Sequence, residues 1–317
     1  MAEKLTAVID KSLFHEICEL SHSERSDAWR LLLDKYQIIV PFVLLEEILV
    51  NAINPGVKSR QSIESMVADI TQLRHCWMDD ILEYAYCELV RKQPIEKFIA
   101  PPDELQQRIL ALKFDDPLAV KWAEERKADR KITAQRWKQV QRAIAPKIGF
   151  HVVKAEREFF DRVVKPEFLR ILRHPSQKLE YLETVLGDRF RFRHPEAVEK
   201  IDAAFADYSE HNFDTFHTTL ACLILRLAYI LAPAVRIQRS PNLAAEIILN
   251  PKTYNQLNNA TDEQYVVCAQ LCARLLTKDQ GMRNMAEIFR GVGLWKGQTI
   301  FFDSQKTLTL QMASILV

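Results

Sequence analysis

The chain has 317 residues, 48% of them hydrophobic and 27% charged, an ordinary globular composition that excludes a disordered chain and supplies apolar material for one large core or two smaller ones. A formal net charge of +1 excludes a molecule drawn as a whole to polyanions, although a neutral total leaves room for a basic face. Seven glycines are few for long loops or β-rich turns, so a mostly helical chain is expected.

The opening MAEKLTAVIDK carries too short an apolar stretch for a signal peptide, and a cytoplasmic location is expected. TAVID (6–10) and QIIVP (37–41) are nearly continuous apolar runs, the pattern of parallel strands covered on both faces. The helical pattern ERSDAWRLLLDKY between them makes a βαβ unit with a right-handed crossover. VLLEEILVNAINPG follows as a helix closed by Asn54, Pro55 and Gly56. From about residue 59 to about residue 258 only helical patterns are read, among them SRQSIESMVADITQL and WMDDILEYAYCELVRK, and no fixed repeat suggests a solenoid. The most apolar stretch, Leu220 to Val235, is shorter than the roughly 20 residues of a membrane span and contains Arg226, so a buried helix and no membrane partner are expected. Strand material returns at RLLT (274–277) and TIFF (299–302). The expected fold class is α/β, a parallel sheet flanked by helices and built from residues 1–58 and 251–317, with a large all-α insertion over 59–250. Two strands cannot form a stable sheet alone, so the two halves need each other.

Charge is uneven within the insertion. Residues 121–200 hold 20 Lys and Arg against 12 Asp and Glu, which leaves the rest of the chain acidic. A basic helical region beside an acidic sheet suits a nucleic-acid cradle next to a metal site, and it equally suits solvated helix faces. DRFRFRHP is the densest mixture of basic and aromatic residues. Arg189, Arg191 and Arg193, interleaved with Phe190 and Phe192, are candidates for contact with single-stranded nucleic acid, or the two phenylalanines pack inside the insertion.

Four carboxylates stand where a ligand crevice is expected. In an open parallel sheet that crevice lies at the carboxyl ends of the strands, where Asp10 ends TAVID and Asp279 follows RLLTK. Glu47 lies on the first turns of the helix after Pro41, and Asp262 opens the helical pattern DEQYVVCAQLCARLL. Each has a structural reading as well: Asp10 and Asp262 as helix N-caps, Asp279 as a turn former and Glu47 as a solvent-facing residue. Together they would repel one another and take up protons or a cation, and Mg²⁺ or Mn²⁺ prefers such oxygen ligands.

Here the motifs resemble those of PIN domains. VIDKS is similar to their V-[IL]-D-[TA]-[SN] opening. PFVLLEEIL is similar to their proline-initiated second motif with its acid six residues on, and TDEQYVVCAQLCARLLTKDQGM to their D-x6-A-…-[LV]-T-x-D signature. The resemblance covers residues 1–60 and 255–303. It implies a metal-dependent ribonuclease, or less often a DNA nuclease related to flap endonucleases, using Mg²⁺ or Mn²⁺ held by Asp10, Glu47, Asp262 and Asp279, with Ser12 and Thr277 supporting the acids. Lys278 joins the arginines as a candidate for contact with nucleic acid. The implied substrate is RNA, including tRNA or another structured RNA. A homodimer or a regulatory protein partner and a toxin or defence role are also implied, and a catalytically inactive PIN-like scaffold is the alternative. Lys11 departs from the threonine or alanine that usually follows the first aspartate.

Other motifs carry less. Six cysteines without a CxxC pair read as reduced core thiols, Cys268 and Cys272 on a shared helical face. GVGLWKG (291–297) follows a helical pattern instead of a strand and reads as a turn into the last strand. His211 and His217 read as structural or substrate-facing, and Asp303, after TIFF, as an outside candidate for a fifth acid.

Overall fold

The computed structural model describes residues 4–53, 60–72, 77–78, 152–153, 160–173, 236–237, 256–291, 295–303 and 306–316, together with isolated positions at 117–139, 158 and 227–231. Its centre is a parallel sheet. Strand β1 (Leu5–Ile9) leads into α1 (Lys11–Glu19) and α2 (His22–Lys35), and β2 (Tyr36–Pro41) into α3 (Phe42–Ile53) and α4 (Arg60–Gln72). A short β3 (Trp77–Met78) follows, and farther on come β4 (Val152–Val153), a π-helical turn (Phe160–Val164), α5 (Lys165–Arg173) and β5 (Arg236–Ile237). The chain then returns to the sheet through α6 (Gln256–Gln270), β6 (Arg274–Thr277), α7 (Gln280–Gly291), β7 (Gln298–Phe301) and α8 (Leu308–Leu316).

Strand order is β3-β2-β1-β6-β7, parallel throughout. The register pairs Val8 with Ile39 on one side and with Leu275 on the other. Ala7, Val8, Ile9, Ile38, Ile39, Val40, Leu275 and Leu276 are wholly buried, as β-branched and apolar runs without polar alternation require when helices cover both faces. The α/β class and the two-part sheet therefore follow the sequence. The reversal of strand order falls between β1 and β6, the position at which an open parallel sheet is expected to bind a ligand, outside the carboxyl ends of these strands.

Three readings are corrected. WMDDILEYAYCELVRK is not helical at its start: Trp77 and Met78 pair with Val40 and Pro41 as the sheet's edge strand, inside the segment expected to be purely helical. Val152 and Val153 also pair with Arg236 and Ile237 in a separate two-stranded parallel sheet. Strands of two residues are too short for any periodicity to mark them. Cys272 lies beyond the end of α6, so it shares no helix with Cys268; both are buried and outside any disulfide, as is Cys18. The three described residues of the apolar segment, Leu227, Ala228 and Leu231, are helical and buried. Among the described residues no helix is long and apolar enough to cross a membrane.

The helices around β1 are locked by one carboxylate. Asp69 on α4, 5% exposed, accepts hydrogen bonds from Trp29 Nε1 of α2 at 2.8 Å and from Cys18 Sγ of α1 at 3.3 Å, with Arg25 Nε 3.9 Å from its other oxygen. Trp29 also packs against Phe14 with ring centroids 5.4 Å apart. A buried acid is tolerated here because three donors from two helices converge on it.

Candidate metal centre

Asp10 follows the last residue of β1, and its backbone (φ −76°, ψ 161°) makes it the N-cap of α1. It is completely buried, and both carboxylate oxygens are occupied. Oδ1 accepts from Leu13 N at 2.7 Å, while Oδ2 accepts from Thr277 Oγ1 at 2.5 Å and from Lys278 N at 3.3 Å. The capping and crevice readings of Asp10 are thus one arrangement, in which the cap fixes the carboxyl at the strand end. Asp279 repeats the pattern after β6. Its Oδ1 accepts from Met282 N at 2.8 Å, and its own N–H donates to Thr277 Oγ1 at 2.9 Å. One threonine hydroxyl therefore joins the two acids, donating to Asp10 and accepting from the backbone of Asp279.

Glu47 and Asp262 approach from the helices. Glu47 lies in the second turn of α3, where Oε1 accepts from Lys11 Nζ at 3.0 Å and Oε2 from the Tyr265 hydroxyl at 2.8 Å. Helix α6 begins at Gln256, six residues earlier than expected, so Asp262 is an interior helical residue and its N-cap reading is excluded. Helix α6 runs back along the sheet before β6, which carries its first half to the carboxyl ends of the strands. Tyr265 follows Asp262 at i+3 on the same face.

Electrostatics show how closely the acids are gathered. Burial first, then the charges of Asp279, Glu47 and Asp10, push the Asp262 carboxyl up to about 8, against a smaller downward pull from Lys11. Burial also raises Asp10 to about 6, opposed by its three hydrogen bonds and assisted by Asp279. The charges of Asp279, Glu47 and Asp10 all bear on Asp262, and that of Asp279 also on Asp10, so the four sequence-predicted acids are gathered at the switch point of the sheet. In donor type and charge they fit a hard divalent cation. Among the described residues, however, no three His, Cys, Asp or Glu side chains stand in a geometry that would hold a metal ion as they are. The carboxylate oxygens of Asp10 and Glu47 are turned toward protein donors instead.

The remaining candidates scatter. Ser12 is exposed, and no hydrogen bond joins it to the acids among the described residues. The Lys278 ammonium forms a close ion pair with Glu16 of α1, while its backbone N–H serves Asp10. Asp303 lies past β7, its backbone clasped by the Gln311 side chain through Asp303 N at 2.6 Å and Asp303 O at 2.7 Å. Arg189, Phe190, Arg191, Phe192, Arg193, His211 and His217 lie outside the described residues. Gly297 packs so tightly on Trp295 that a Cβ there would stand 2.3 Å from the indole ring, while Gly291, expected to begin a turn, ends α7. Sequence reasoning missed Tyr265 and the pairing role of Lys11. The i+3 spacing of Tyr265 from Asp262 was the available signal for the first, and the unusual residue after Asp10 for the second.

Thr277→Val tests the link between the strand ends. Removing the hydroxyl strips a buried carboxylate of one donor and leaves the Asp279 N–H without its acceptor. We expect a loss of about 1–3 kcal/mol in urea unfolding, and an unchanged midpoint would show the link to be idle. No protein-family model matches the chain, and neither a curated protein nor a solved structure matches it.

Proposed function

We propose that this chain is a metal-dependent nuclease, an endoribonuclease of PIN type, hydrolysing phosphodiester bonds with Mg²⁺ or Mn²⁺ bound by Asp10, Glu47, Asp262 and Asp279. The observation that carries the proposal is the gathering of four carboxylates near the carboxyl ends of β1 and β6, where burial first and then the charges of Asp279, Glu47 and Asp10 raise Asp262 to about 8. A cluster of that kind is costly unless protons or a cation neutralise it, and a divalent ion does so at neutral pH. Bound there, the ion would supply charge neutralisation on the phosphate, a nucleophilic water and stabilisation of the leaving oxygen. Asp10 and Asp279 would be held as ligands by the N-terminal turns of α1 and α7, and Thr277 would fix their separation. The basic stretch over 121–200 supports RNA, including structured RNA such as tRNA, as the substrate class, and the resemblance to PIN domains implies a toxin or defence effector as the cellular role.

The competing reading is a PIN-like scaffold that binds without cutting, and the Lys11–Glu47 pair inside the acid cluster favours it. Incubation with total RNA, tRNA and single-stranded DNA, with Mn²⁺ or with EDTA, separates the two. We expect Mn²⁺-dependent cleavage of RNA that EDTA abolishes, and that Asp10→Asn and Asp279→Asn each abolish while the protein stays folded by circular dichroism. Cleavage surviving both substitutions would sink the nuclease assignment.

A further inference from the structure

We infer that Lys11 is a built-in counter-ion of the acid cluster, holding Glu47 in the metal-free protein and yielding its place when a divalent cation enters; this rests on the metal-site reading above. Lys11 opens α1, directly after Asp10. A cation is disfavoured at that position by the helix dipole, whose positive end faces it, and α1 has no acidic residue in its first turn to offset the charge. Local helix energetics thus give no reason for a lysine there, whereas the acids do.

Lys11 Nζ lies 3.0 Å from Glu47 Oε1, with the two side chains 25% and 14% exposed. The Tyr265 hydroxyl occupies the second oxygen of Glu47, so this carboxylate is fixed by a charge on one side and a phenol on the other. Lys11 also acts on Asp262, stabilising its charged form, so one ammonium bears on two of the four acids. Lys278, the next residue with an ammonium near Asp10, is engaged with Glu16. The pairing of Glu47 with Lys11 accounts for an acid cluster whose charges are gathered while its oxygens are not arranged around one ion. Because the pair is partly exposed, it is weak enough for a divalent ion to displace. Each metal ion that binds must then break the Lys11 contact, so the affinity of the site is set in part by this residue.

The test compares wild type, Lys11→Met and Lys11→Arg by Mn²⁺ titration calorimetry and by thermal melting in EDTA. Lys11→Met should bind Mn²⁺ about five- to tenfold more tightly and melt lower in EDTA, with a larger Mn²⁺-induced rise in melting temperature. Lys11→Arg, which keeps the charge, should resemble wild type in both measurements. Adding Glu47→Gln to Lys11→Met should restore part of the EDTA melting temperature, because the stranded carboxylate is then gone. Equal or weaker Mn²⁺ affinity in Lys11→Met overturns the counter-ion role while leaving the metal site standing. Absence of Mn²⁺ binding to all three proteins at millimolar concentration overturns the metal-site reading and the displacement with it.

Discussion

Asp262→Asn is expected to raise the melting temperature of the metal-free protein at pH 8 while lowering Mn²⁺-dependent RNA cleavage by on the order of 10²–10³. Both effects come from burying one carboxyl beside three others. Folded, the Asp262 carboxyl titrates near 8; unfolded, it returns to the ordinary value near 3.8. Between those limits the folded chain holds a proton that the unfolded chain has released, so stability falls as pH rises, on the order of 1 kcal/mol per pH unit for each such group. Asp10, raised to about 6, adds a second proton to the slope below that pH. This contribution is fully present below pH 4 and lost by pH 8. The asparagine variant has no carboxyl to ionise, so its melting temperature should decline less between pH 6 and pH 8 than that of wild type. Saturating Mn²⁺ should reverse the decline in wild type and leave the variant little changed. Parallel pH profiles for the two proteins would show that Asp262 is not held near its neutral form. Such a gain in stability at the expense of activity is common where a site is built from groups that repel.

Asp69→Ala is the largest stability change expected away from the acids. It leaves the Trp29 indole N–H buried without its acceptor, removes one partner of the Cys18 thiol and takes the Asp69 anion away from Arg25. Each unsatisfied buried group costs about 1–3 kcal/mol, so a loss of about 3 kcal/mol or more is expected, seen as a fall of roughly 6–10 °C in melting temperature. Asp69→Asn keeps an acceptor for the indole and should lose less than half as much. Equal losses for the two variants would mean that packing, not hydrogen bonding, joins α1, α2 and α4. Mn²⁺ affinity should change little in the asparagine variant, because Asp69 is not among the charges that act on Asp262.

The four long strands were legible because apolar residues without alternation have few other uses in a chain this poor in glycine. RLLT matches the observed strand at both ends, but two others are displaced by one residue: TAVID closes at Ile9 and Asp10 caps the next helix, and TIFF gives way to Gln298–Phe301. The acids were legible as a set through their positions at strand and helix ends, although none was distinctive alone. Asp262 shows the limit of boundary reading, since QLNNAT continues the helix upstream with polar residues that carry no apolar stripe. Tyr265 and Lys11 carried only weak local signals, because the partner that gives each its role, Glu47, lies 218 residues away in the first case and 36 in the second. The edge strand Trp77–Met78 was hidden because two residues have no period, and its pairing with Val40 and Pro41 is decided by the sheet, not by local preference.

The seat of β1 between β2 and β6 has a consequence for biosynthesis. Its first neighbour leaves the ribosome soon after it does, but the other is about 265 residues downstream. At roughly 5–20 residues per second, that interval lasts on the order of 15–50 s, during which one side of an apolar strand has no hydrogen-bonding mate. Any hydrolytic capacity must await the same event, since Thr277 and Asp279 arrive with β6, so a cell translating this message would meet an inert nascent polypeptide until the late strand docks.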